Sequence, residues 1–103
     1  MIFYFNMITK DKIMDVLYDE YVKFYDEKPE KFLSDTRIFA DLHAEDSVGK
    51  AYALEWLHNV ARRIGLKENR IQHLEDRDYE LKEVVNILEE KLLNTAYNPQ
   101  GSC

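Results

Sequence analysis

The chain has 103 residues, 46% apolar and 13% aromatic, enough for one modest core and too apolar for intrinsic disorder. Its 20 acidic against 14 basic residues give a net charge of -6, a surface that repels nucleic acid and anionic membranes and favours basic partners. The lone cysteine, Cys103, cannot close an internal disulfide, so a reducing, cytoplasmic setting is expected.

Residues 1–8, MIFYFNMI, are apolar but lack a basic leader and a small-residue cleavage site, and fall far short of the roughly 20 residues of a spanning helix. No export or membrane segment is expected. Met7 is an alternative start, and the residues before it read as a short strand or an extra helical turn. From Thr9 to Glu27 the positions Ile13, Val16, Leu17, Tyr21 and Phe24 follow helical spacing, and Lys28 before Pro29 should close that helix. Pro29 then opens a short second helix over PEKFLSD, and Asp35 caps a third reaching Leu42. Asp46 or Ser47 caps the next helix, which runs to Ile64. Ala53, Leu54, Trp56, Leu57, Val60, Ala61 and Ile64 share one side of it. Gly65 followed by Leu66 is the signature of a left-handed C-cap.

The last helix should start between Leu66 and Asn69 and continue to about Thr95, with Ile71, Leu74, Leu81, Val85, Leu88 and Leu92 in heptad register and Asp78 interrupting it. The expected fold is all-α: a small helical bundle of four to five helices with a long C-terminal helix. Residues 1–97 form one domain and 98–103 a flexible tail.

Residues 57–76, LHNVARRIGLKENRIQHLED, place a small residue (Ala61), a tight-turn glycine (Gly65) and buried apolar positions (Val60, Ile64, Leu66, Ile71, Leu74) at telling intervals. The segment resembles the helix-turn-helix of small repressors and regulators. That resemblance implies a recognition helix presenting Lys67, Glu68, Asn69, Arg70, Gln72, His73 and Asp76 to the major groove, with a homodimer held by the Leu74–Leu92 seam. Glu68 and Asp76 would aim carboxylates at phosphates, and an ordinary αα-hairpin turning at a glycine shares the same residues.

No metal or cofactor is expected. Glu55 and His58 form one Glu-x-x-His pair, but a dinuclear carboxylate site needs two pairs and further glutamates. No Gly-rich phosphate loop or Cys-His pair is present, and Ser34 and Ser47 read as caps or loop residues, so no enzyme is expected.

The first helix carries the more informative surface. Met14, Tyr18, Tyr21 and Tyr25 widen its apolar stripe beyond the roughly 100° that a surface helix buries. Either two neighbours cover it, or its tyrosines anchor a partner. Asp11, Asp15 and Asp19 form a row on the other side, with Asp76, Glu80, Glu83 and Glu90 as a second series. Such rows are usually solvated faces, but they can also imitate a phosphate backbone. The expected partner is therefore a basic, nucleic-acid-handling protein. It would be bound at Asp11, Asp15, Tyr18, Asp19, Tyr21 and Tyr25 by an inhibitor or accessory factor of phage or mobile-element size.

Overall fold

Thr9 starts the first helix because its hydroxyl accepts the Lys12 N–H at 3.2 Å while its own backbone stays extended, satisfying a donor that every helix start leaves open. The computed structural model describes residues 9–66 and 72–97, and in it α1 spans Lys10–Tyr25. The helix stops at Asp26, ahead of the pre-proline lysine. Left-handed backbone there (φ 58°) returns the Asp26 N–H to the Val22 carbonyl at 2.8 Å.

Asp46 caps α2, Ser47–Ile64, through its Oδ1, which accepts the Gly49 N–H at 2.6 Å. Gly65 ends it at φ 96°, and the Leu66 N–H closes on the Ala61 carbonyl at 2.8 Å. That is the expected glycine C-cap, with Leu66 buried behind it. A four-residue 3-10 helix, Gln72–Glu75, and then α3, Leu81–Tyr97, complete the described chain.

The core follows from helical periodicity. Ile13, Val16, Leu17 and Tyr21 of α1 meet Ala53, Trp56, Leu57, Val60 and Ala61 of α2 and Leu81, Val84, Val85 and Leu88 of α3, all buried. Burying each large apolar side chain is worth about 1.5–3 kcal/mol. α1 packs against both other helices.

The all-α class stands, but the described residues hold three α-helices and one 3-10 turn, where four to five helices were expected. The two short helices expected over 29–35 and 35–42 are absent. That connection pairs instead with the segment before α3: Ile38 N–H reaches the Tyr79 carbonyl (2.9 Å), while the Leu81 and Lys82 N–H groups reach the Thr36 (2.8 Å) and Ser34 (2.9 Å) carbonyls. Main-chain groups committed across the fold cannot also serve a local helix. Those two carbonyls in turn satisfy open donors in the first turn of α3. His43, left-handed at φ 57°, ends the connection's last turn as the Ala44 N–H closes on the Phe39 carbonyl at 2.8 Å.

The single long C-terminal helix is also corrected. Residues 76–80 break it, because Asp78 accepts the Phe39 and Ala40 N–H groups at 2.7 and 3.1 Å. α3 then restarts with Glu83 accepting the Glu80 N–H at 3.0 Å, half of a capping box.

Candidate protein-binding face

α1 lies between α2 and α3, so only its remaining side meets solvent. Asp11, Asp15 and Asp19 are all exposed there, at successive turns about 6 Å apart along the axis. They are not equivalent. Arg63 of α2 reaches across to Asp19 at 3.6 Å and to the Glu20 carboxylate at 3.0 Å. Asp11 and Asp15 have no ion-pair partner among the described residues. Lys12 and Lys23 share this side, and Lys23 lies 3.5 Å from Glu20.

The three tyrosines separate as well. Tyr18 is half-buried with its ring edge-on to Phe32, centroids 5.3 Å apart. Tyr21 is only 3% exposed and packs at 88° on Trp56, centroids 5.3 Å apart. Tyr25 leans on Tyr21 at 4.5 Å; burial, and secondarily Tyr21, pushes its hydroxyl pKa up to about 12. The wide apolar stripe is therefore mostly core, because α1 is covered on two sides. Tyr21 cannot serve as an outward anchor, and Tyr18 is the tyrosine left beside the aspartates.

Sequence reasoning missed Phe32 and Leu33. Both sit on the connection between α1 and α2, Phe32 against Tyr18 and Leu33 61% exposed. Their signal was an apolar pair inside the charged run PEKFLSD, which the expected helix obscured.

The second acidic series does not form a row. Asp76 precedes α3; Glu80 pairs with Lys82 at 3.3 Å; Glu83 holds the α3 start and Arg77 at 3.0 Å; Glu90 is exposed. Backbone hydrogen bonding from Glu80, then the charge of Arg77, keep the Glu83 carboxyl below its ordinary range.

For the helix-turn-helix reading, Ala61 is buried, Gly65 makes the left-handed turn, and Leu66 and Leu74 are buried. Lys67, Glu68, Asn69, Arg70 and Ile71 lie outside the described residues. Gln72 and His73 fall in the 3-10 turn, so no continuous recognition helix runs from there to Thr95. The seam offered for a homodimer is also occupied: Leu74, Leu81, Val85 and Leu88 are buried in the chain's own core. Glu55 lies 3.7 Å from Arg62, and no three His, Cys, Asp or Glu side chains among the described residues are grouped to hold a metal. No helix among them is long and apolar enough to cross a membrane.

Compared with known protein families, characterised proteins and solved structures, the chain matches none.

Proposed function

We propose that this chain is a small, acidic, non-enzymatic binding protein whose outward α1 face occludes a basic, nucleic-acid-handling protein partner. The reading is supported chiefly by Asp11 and Asp15, exposed one turn apart and without cationic partners among the described residues, beside the Tyr18–Phe32 edge. Carboxylates in line can stand in for the phosphates such a partner ordinarily engages, and they speed encounter more than they tighten the complex. Exposed Leu33 supplies apolar area next to Phe32. Size and charge fit an inhibitor or accessory factor of phage or mobile-element type.

The test is affinity capture from an extract of the encoding organism, with association rates followed against salt. The triple variant D11N/D15N/D19N should associate more slowly with the captured basic protein and show a shallower salt dependence. Unchanged capture and an unchanged salt slope would sink the proposal. A duplex-DNA complex at low salt, lost on replacing Gln72 and His73, would instead support the regulator reading.

A further inference from the structure

A separate feature lies where the start of the connection, residues 27–30, meets its later part, residues 41–43. Beyond the C-terminus of α1, a cleft of about 230 Å3 is lined by Tyr21, Glu27, Pro29, Glu30, Leu42 and His43, with Lys28 and Asp41 alongside. Tyr21 and Leu42 are buried and form its inner wall; Glu27, Lys28, Glu30 and His43 are exposed and form its rim.

The Tyr21 hydroxyl is the unusual group. Tyr21 is 97% buried in the sense that only 3% of it is exposed, yet its hydroxyl has no hydrogen-bond partner among the described residues. No fully sealed side-chain oxygen or nitrogen among those residues lacks a partner, so this oxygen keeps access to solvent, and Tyr21 lines the cleft. Glu27 lines the same cleft; burial, and then the charge of Glu27, raise the Tyr21 pKa, which keeps the phenol protonated. A neutral phenol offers one donor and two acceptor lone pairs.

The rim charges select the ligand. Asp41 already accepts the Arg37 N–H at 2.9 Å and lies 3.6 Å from Lys31. Glu30 lies 3.9 Å from the His43 Nε2. Glu27 has no ion-pair partner among the described residues. An anion would meet three carboxylates with Lys28 as the fixed cation, whereas a cation would meet an unpaired carboxylate beside a free acceptor. A quaternary ammonium lacks the N–H that this acceptor requires. The volume is below the roughly 300–1,000 Å3 of drug-sized sites, so the ligand is small.

We propose that this cleft binds a primary alkylammonium group, its N–H donors directed to the Tyr21 hydroxyl oxygen and the Glu27 carboxylate and its alkyl stem lying on Leu42 and Pro29. The proposal shares no residue with the outward aspartate face, so the two readings fail separately. A free amine and a lysine side chain carry the same group, and the test distinguishes them.

Amide NMR shifts of the full chain are followed while n-butylammonium chloride is added at constant ionic strength. Saturable shifts at Tyr21, Glu27, Glu30 and Leu42 are expected, with a dissociation constant on the order of 1 mM for so few atoms. Butanol, butyrate and tetramethylammonium should give no saturation. Y21F keeps the ring that packs on Trp56, should leave the circular dichroism spectrum unchanged, and should weaken binding about tenfold or more. E27Q should weaken it as well, and E55Q, an equal change of charge on α2, should not. A blocked Gly-Lys-Gly peptide that saturates the same amides assigns the group to a polypeptide; silence from the peptide alongside binding of butylammonium assigns it to a free amine. Linear, unsaturated shifts with butylammonium, equal binding of butyrate, or wild-type affinity in Y21F would each overturn the proposal.

Discussion

The indole N–H of Trp56 donates to the main-chain carbonyl of Leu17 at 2.9 Å, inside the core and 39 residues away in sequence. That carbonyl belongs to the interior of α1, so the bond fixes how α2 is set against α1 as well as satisfying a buried donor. Tyr21 and Phe32 close on the same ring, at 5.3 and 6.3 Å, which ties the connection carrying Leu33 to this point.

Trp56→Phe removes the donor and part of the volume while keeping an aromatic ring. The expected cost is about 2–3 kcal/mol, the sum of a lost buried hydrogen bond and an imperfectly refilled void. Urea unfolding followed by circular dichroism checks it, since the substitution removes the chain's tryptophan fluorescence. A loss under about 0.5 kcal/mol would mean that Trp56 is replaceable packing.

Asp78 joins the connection to the segment before α3. Asn at this position keeps one acceptor oxygen but turns an NH2 toward a main-chain N–H, so D78N should cost about 1–3 kcal/mol. Hydrogen exchange gives the specific readout: the Phe39 and Ala40 amides should lose protection more than the amides in the middle of α2. Uniform loss of protection across the chain would show that Asp78 acts on global stability alone.

Asp78 also marks where sequence reading stops. The start of α1 and both ends of α2 were legible, because Thr9, Asp46 and Gly65 act on groups within a few residues of themselves. The break at 76–80 was not, because Leu74, Leu81, Val85 and Leu88 keep heptad spacing through it and all are buried. The residues that decide the break, Thr36, Phe39 and Ala40, lie some forty positions earlier. The same long-range pairing removed the two short helices, whose local signals were sound but outweighed. At the candidate face, the exposure of the aspartates could be read from the periodicity of one helix. Which tyrosines turn inward could not, because that depends on where α2 and the connection place Trp56 and Phe32.

Two glycines should resist alanine for different reasons. Helix propensity alone makes Gly49→Ala favourable by about 1 kcal/mol. A Cβ there would stand 2.8 Å from the Ala44 Cα and 2.9 Å from the capping oxygen of Asp46, so a net loss of about 1–3 kcal/mol is expected instead. At Gly65 a Cβ would meet nothing within 4 Å, but φ is +96°. Gly65→Ala should therefore cost about 1–2 kcal/mol through backbone strain, and Gly65→Asn less, since asparagine tolerates left-handed backbone. Thermal melts of the three variants test this, and a stabilised Gly49→Ala would show that Ala44 moves aside freely.

Acid should loosen the junction between the connection and α3 in a defined direction. The Asp41 carboxyl is held below its ordinary value chiefly by the Arg37 N–H and then by Lys31, and Glu83 by the Glu80 N–H and then by Arg77. When a group's folded pKa is depressed, the unfolded chain binds the proton first. Its stabilisation is therefore complete above the unfolded value and is lost as pH falls through the folded one. For these two groups the loss begins near their ordinary values of 3.8 and 4.5 and deepens below them. The urea midpoint should hold between pH 7 and 5 and fall below about pH 4. In D41N/E83Q the midpoint should be lower at neutral pH and its acid slope shallower, because neither position has a carboxylate left to protonate. Both carboxylates are partly exposed, so added salt should screen Lys31 and Arg77 and shrink the difference between the two proteins without abolishing it, since the backbone donors remain. An acid slope identical in variant and wild type would place the acid sensitivity elsewhere in the fold.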